Sequence, residues 1–253
     1  MKDGRQRACW RSLTLLAALA LPALARPAHA QDGFLFGPPR VGLTLRGGVA
    51  NAQARSDLFD FTTTQLTLDR HDFTGLSLGA DLSIATASPR LHVVLGSGYA
   101  SSSAGSDYRE FFDQDEKPIL QTTSFKRVPL TVGMKAYPFA TGHRIGSLAW
   151  VPARFAPYVG AGVGATWYRF RQEGSFVDFN DANAVFDDTF QTSGWGPTGY
   201  GGAGIDFSVS PHVAVTADAR YLYAKASVGD DFSGFNRIDL SGLSTTVGIT
   251  FRF

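Results

Sequence analysis

The last eight residues of the chain, Thr246-Val247-Gly248-Ile249-Thr250-Phe251-Arg252-Phe253, alternate without a break. Val247, Ile249, Phe251 and Phe253 share one face, and Thr246, Gly248, Thr250 and Arg252 share the other. Successive side chains of a strand point to opposite faces, so this segment has one face suited to lipid and one suited to water. The alternation recurs along the chain and constrains it to a two-faced sheet.

The other end carries a different pattern. Lys2, Arg5, Arg7 and Arg11 make a basic start, Leu13 to Leu21 is Leu and Ala broken only by Thr14, and Ala28-His29-Ala30 precedes Gln31. This is the three-part form of a secretory signal peptide with an A-x-A cleavage site. The apolar run is shorter than the roughly 20 residues of a spanning helix. The expected organisation is a cleaved leader over residues 1–30 and one domain over 31–253.

The leader holds five of the 23 basic and one of the 22 acidic residues, leaving a mature chain with 18 basic and 21 acidic residues and a formal net charge of −3. Nucleic-acid binding wants a basic face, and this balance argues against it. The single cysteine, Cys9, leaves with the leader, so no disulfide framework is expected.

No stretch of the mature chain is apolar enough for a membrane helix, and the mean hydropathy is −0.04. A transmembrane barrel has this profile, because only every second residue meets lipid. Many of the 28 glycines fall inside strand patterns: Gly160, Gly162 and Gly164 alternate with Val159, Ala161, Val163 and Ala165. A glycine-rich nucleotide loop must open a helix, whereas Thr166, Trp167, Tyr168 and Phe170 favour strand.

Eight strands are predicted: near Arg40 to Ala50, Phe73 to Ala85, from Leu91 through Tyr99, Phe125 to Phe139, Pro157 to Arg171, Trp195 to Val209, Val213 to Ser227, and the terminal strand. The expected fold is all-β, an eight-stranded antiparallel up-and-down transmembrane β-barrel. Tight turns at Ala87-Ser88-Pro89-Arg90 and Ser210-Pro211-His212 alternate with long polar links at Ser56 to Asp72, Ser106 to Thr123, Gly174 to Gly194 and Gly229 to Asn236. Ala140 to Ala156 is long for a turn on the short side and reads either as an ordered flap against the barrel base or as a sign that the strand count is off.

Aromatic residues are placed as two interfacial belts. Tyr99, Trp167, Tyr221 and Tyr223 form one, and Tyr137, Phe139, Phe155, Phe207 and Phe253 the other. Strict alternation turns Tyr137 and Phe139 inward, which makes them its weakest members.

The tail residues Thr246, Gly248, Phe251 and Phe253 resemble the sorting signal of bacterial outer-membrane barrels. Arg127-Val128-Pro129-Leu130 with Lys135-Ala136-Tyr137-Pro138-Phe139, Ala156 to Gly164, and Ser193-Gly194-Trp195-Gly196 leading to Gly204-Ile205-Asp206-Phe207 resemble strands four, five and six of the outer membrane protein W family and related small barrels, including the outer membrane protein A-like barrel domain. The resemblance implies an integral outer-membrane protein of a Gram-negative envelope. It implies contact with membrane lipid and lipopolysaccharide, and insertion by the barrel-assembly machinery. A monomer is expected. The implied role is structural, with porin-like passage of small or apolar solutes. A surface binding module is the alternative, and a lipid A-modifying enzyme a third class.

Alternation turns Arg46, Asp81, Arg127, Lys135, Asp206, Asp218, Arg220 and Arg252 into the lumen. An eight-stranded interior is about wide enough to be filled by side chains, and unpaired buried ions are costly. The two readings are a salt-bridged plug and a charged constriction. No cofactor, metal site or catalytic residue is expected. His71, His92, His143 and His212 lack metal-ligand spacing, there is no G-x-S-x-G, and His71 with Ser77 is the sole candidate pair. The acidic links (Asp107, Glu110, Asp113, Asp115, Glu116; Asp178, Asp181, Asp187, Asp188; Asp230, Asp231) suit a solvated surface or cation bridging to lipopolysaccharide. Phe111, Phe112, Phe176, Phe179 and Phe186 are candidate partner contacts.

Overall fold

The structure, a computed structural model, describes residues 35–113, 115–146, 149–178 and 184–253. Ala28, Ala30, Gln31, Phe179 and Asp181 lie outside the described residues.

Eight long strands form one closed antiparallel ring. They are β1 (Val41–Ala52), β2 (Thr74–Ala85), β3 (Leu91–Phe112), β4 (Pro118–Ala136), β7 (Phe155–Val177), β8 (Val185–Ser208), β9 (Val213–Ala226) and β11 (Gly242–Arg252). Each pairs with its neighbour in sequence among these eight, and β11 closes on β1. A two-residue strand, β10 (Ile238–Asp239), adds to β9. The ring closes through the chain's last residue: the Phe253 N–H donates to the Val41 carbonyl at 2.8 Å, and the Val41 N–H returns a bond at 3.1 Å.

The register fixes the barrel's shape. Partners followed around the ring run Gly42, Ser83, Val94, Gly133, Gly162, Tyr200, Leu222, Gly242 and back to β1 at Ala52. The circuit returns ten residues beyond its start, a stagger that tilts the strands and sets the bore. The residues on this circuit face inward. Inward glycines admit large neighbours: a Cβ on Gly162 would lie 2.5 Å from the Tyr200 ring, and one on Gly204 2.5 Å from that of Tyr158.

The outward face is apolar. Leu43, Leu45 and Val49 on β1, Leu76 and Leu78 on β2, Leu130, Val132 and Met134 on β4, and Val247 and Ile249 on β11 are all exposed. A closed ring leaves no strand edge unpaired, which is the condition for crossing a hydrocarbon layer with strands. An apolar girdle of this extent is foreign to soluble monomers.

The strands are unequal. β1, β2, β9 and β11 have 12, 12, 14 and 11 residues, while β3, β4, β7 and β8 have 22, 19, 23 and 24. A tilted strand crosses a membrane in about 9–11 residues. The four long strands are neighbours, so a half-cylinder wall rises beyond the barrel at its loop end. This corrects two of the predicted polar links. Ser106 to Thr123 and Gly174 to Gly194 are mostly strand, because inward alternation continues through Tyr108, Ile119, Gln121 and Thr123, and through Gln172 and Phe176.

The Ser56 to Asp72 link also differs from its expectation. It contains α1 (Asp57–Gln65) and a single 3-10 turn at Arg70–Phe73. Leu58, Phe59 and Thr62 fall on one helix face and are buried. At the opposite end, Ala140 to Ala156 is a hairpin of β5 (Gly142–Ile145) and β6 (Ala149–Pro152). Its Trp150 is buried and exchanges backbone hydrogen bonds with Leu35.

Candidate functional site

The interior is built in layers. Uppermost, at the loop end, lies the main apolar core. Phe59 of α1 is fully buried and stands edge-on to Phe73, Phe125 and Phe170 at 4.9, 5.3 and 5.5 Å between ring centroids. Phe125 and Phe170 reach it from the inner faces of β4 and β7. Phe232, in the 3-10 turn between β9 and β10, packs against Phe170 at 5.6 Å. The helix therefore lies across the mouth and leans on the tall wall. The Thr67 N–H donates to the Asp107 carbonyl at 2.8 Å, and Arg109 Nη2 donates to the Leu68 carbonyl at 3.3 Å.

Below this cap, charged side chains cross the bore. Asp81 meets Arg46 at 3.1 Å and Arg220 at 3.0 Å. Asp218 meets Arg220 at 3.3 Å and Arg46 at 3.8 Å, and accepts the Tyr158 hydroxyl at 2.8 Å. Two arginines and two aspartates thus close a four-membered network from β1, β2 and β9. Arg220 also sits 4.9 Å from the Tyr200 ring centroid.

A second cluster lies toward the turn end, around Asp206, which is 1% exposed. Its oxygens accept from Lys135 Nζ at 3.1 Å, the Tyr137 hydroxyl at 2.7 Å and the Thr216 hydroxyl at 2.7 Å. Arg252 approaches at 3.8 Å. Lys135 Nζ stands 3.6 Å from the centroid of the Tyr158 ring, a cation–π contact that joins the two clusters.

Arg127 sits apart from both networks. Its Nη1 donates to the carbonyls of Leu240 and Ser241 at 2.8 and 3.2 Å. Among the described residues no carboxylate lies within ion-pair distance of it. All eight charges thus face the interior, seven of them in two networks.

Tyr137 is corrected as a belt residue. It is buried and inward, held by Asp206 and edge-on to Tyr158 at 5.8 Å. Tyr99, Tyr221 and Tyr223 are outward and exposed, and Phe139 and Phe253 are exposed at the turn end. Trp167 faces outward directly opposite Trp195, and Phe207 packs on Phe155 at 5.2 Å. Trp195, 57% exposed and paired with Trp167 across the ladder, belongs with them, although its place at the start of a strand pattern gives no alternation to mark it as outward. In the tail, Thr246 is buried, Gly248 backs onto Arg46, and Phe251 pairs with Leu43.

At the loop end Phe111 and Phe176 pack internally: Phe111 meets Tyr108 at 5.9 Å, and Phe176 meets Phe190 at 4.6 Å. Phe112 and Phe186 remain exposed. Phe61, Tyr108, Phe176, Phe186, Phe190 and Phe235 line a hollow of about 230 Å³ between the tall wall and the cap. Burial in this cluster pushes the Tyr108 hydroxyl's pKa up. Ser77 is buried on the inner face of β2, while His71 sits beside Asp69 and Asp72 at the loop end.

Among the described residues, the β3–β4 ladder is interrupted beside the lumen. Between β3 and β4 the pairing runs to Ser97 with Leu130 and resumes at Ala100 with Arg127. Pro129 has no N–H to contribute to the ladder. Its ring turns toward Gly98, where an added Cβ would lie 3.1 Å from Pro129 Cγ.

No family model matches the chain, and no curated protein sequence does. Among solved structures it is similar to Neisserial surface protein A, at 13% identity and TM-score 0.45 over 84% of this chain and 96% of that one. It is also similar to the outer membrane protein OprG from Pseudomonas aeruginosa, at 17% identity and TM-score 0.45 over 87% and 99%. Ail, the attachment invasion locus protein of Yersinia pestis, is similar at 15% identity and TM-score 0.43 over 85% and 99%.

Proposed function

We propose that the chain is an integral barrel of the bacterial outer membrane that anchors a rigid surface wall, with a lumen closed at rest to ions and polar solutes. The observation that carries this reading is the double closure of the bore. The Phe59 cluster fills the mouth, and the Arg46–Asp81–Arg220–Asp218 network crosses the lumen beneath it. Short turns then face the periplasm and the tall wall faces outward, as in barrels of this class. The wall's half-open aromatic hollow gives the surface a place for an apolar group. The test is conductance of the refolded barrel in a planar lipid bilayer, after a heat-dependent gel shift shows folding. Silence is expected, and reproducible unitary steps would overturn the closed lumen.

A second reading, passage of small apolar solutes through the wall, is supported by the interrupted pairing at Pro129. Entry of an apolar fluorescent probe into proteoliposomes tests it. Pro129→Ala, which restores an N–H to the ladder, should slow entry several-fold; equal rates in barrel-containing and barrel-free vesicles would remove this reading.

A further inference from the structure

The outward face of the tall wall changes character just above the aromatic belt, and the register shows where. Trp167 on β7 stands opposite Val128 on β4 and Trp195 on β8. Two residues toward the loop end, about 7 Å along a strand, Arg169 stands directly opposite Lys126. Ser101 on β3 flanks Lys126, and Ser193 on β8 flanks Arg169. One step further out, Arg171 stands opposite Ser124.

Like charges directly opposite across a ladder destabilise it, so packing does not account for Lys126 facing Arg169. Arg171 is paired with Glu173. Among the described residues, neither Lys126 nor Arg169 has a carboxylate within ion-pair distance. Both are half-buried on the wall. The Arg169 guanidinium lies 5.2 Å from the centroid of the Trp167 ring, and its Nε is shut off from solvent without a hydrogen-bond partner. Two uncompensated cations, flanked by two hydroxyls, thus stand on the lipid-facing side. Aromatic belts mark the level where headgroups begin, and these cations lie just beyond one.

We propose that Lys126 and Arg169 form a binding site for the phosphomonoester headgroup of a lipid in the outward leaflet. The inference rests on the outer-membrane reading above, and in that leaflet the lipid is lipopolysaccharide. A phosphomonoester carries about two negative charges near neutral pH, which matches the two free cations. Guanidinium and ammonium donors give it charge-assisted hydrogen bonds, and Ser101 and Ser193 add hydroxyl donors. The lipid's acyl chains then run down the wall past Trp167 and Trp195. The anion removes the repulsion between Lys126 and Arg169, so the site is complete only when lipid is bound.

The test uses the full barrel refolded in neutral detergent micelles, with bound lipid counted by native mass spectrometry. The probes are bisphosphorylated lipid A, the same lipid stripped of both phosphates, and inorganic phosphate. Saturable binding of lipid A is expected, weakened at least ten-fold by removing the phosphates. Lys126→Gln combined with Arg169→Gln should weaken it equally, while Lys117→Gln, at an exposed loop-end position, should not. Equal binding of the two lipid forms, or full binding by the double variant, would overturn the proposal. Displacement of lipid A by an equal concentration of inorganic phosphate would assign the site to the free ion and overturn it too. In phosphate-free micelles Lys126→Gln should melt no lower than the parent, because it relieves the cross-strand repulsion. A drop of several degrees would mark the pair as structural. Should the double variant fail to fold, the two lipid forms on the parent barrel decide the question. A barrel that inserts into vesicles but shows no phosphate preference sinks this inference and leaves the anchor reading standing; a chain that inserts into none sinks both.

Discussion

Phe59 and Phe125 stand edge-to-face with their centroids 5.3 Å apart, and the contact joins a loop helix to the inner wall of the barrel. Phe59→Ala should remove about 3–5 kcal/mol of packing from the cap. The barrel itself should stay folded, because its ladder does not depend on α1. Hydrogen exchange across residues 57–65 should accelerate strongly while the gel shift persists. Bilayer conductance should remain absent, since the ion-pair layer closes the bore independently. Channel opening in this single variant would show that the charged layer does not seal.

Asp206 gathers two cations and two hydroxyls at one nearly inaccessible carboxylate. Asp206→Ala leaves Lys135 and Arg252 without their partner in a low-dielectric bore, a change of about 3–5 kcal/mol. Urea unfolding followed by tryptophan fluorescence should show it. Asp230→Asn, on an exposed rim, should stay within about 0.5 kcal/mol of the parent.

The cap should loosen in acid. Asp57 Oδ2 accepts the Asn236 backbone N–H at 2.9 Å and its side-chain amide at 2.8 Å. The backbone bond first, with the amide adding to it, holds the Asp57 pKa below the ordinary 3.8. The contact is therefore at full strength above the ordinary carboxylate range and is lost as the pH falls through the depressed value. Exchange of the α1 amides, corrected for intrinsic rates, should rise below pH 3.8. Asp57→Asn should remove that acid step.

Phe253 is 69% exposed, and its contribution to ring closure is made by backbone atoms. Phe253→Ala should thus leave the unfolding free energy of the refolded barrel within about 0.5 kcal/mol of the parent. If the tail is read by the assembly machinery, the same variant should reach the outer membrane at reduced levels while still being secreted. Normal surface levels would remove the sorting role of the terminal aromatic.

The strands and their closure were legible because alternation is a local signal: Val247, Ile249 and Phe251 announce a lipid-facing side by spacing alone. The height of the tall wall was not. Beyond the membrane the outward face of β3 and β4 no longer has to be apolar, so Ser101, Ser103 and Lys126 masked a ladder that the inward residues Ser102, Ser106 and Tyr108 continue. Leu58, Phe59 and Thr62 carry a helical spacing that marks α1, but Asp57, Asp60, Thr63 and Thr64 around them give the segment the look of a polar link. Inward direction could be read for Arg127 as for Arg46. That Arg46 meets Asp81 while Arg127 meets two carbonyls and the Phe125 ring depends on stagger, which a single strand's pattern does not contain.

The unequal strands give the molecule a front and a back. β3, β4, β7 and β8 are consecutive around the ring, so one flank is screened above the lipid and the flank of β9, β11, β1 and β2 is low. Anything moving in the plane of the membrane can come level with α1 and the mouth only from the low flank. A barrel that has no handle on its own rotation in the bilayer nevertheless presents its neighbours with a single direction of approach.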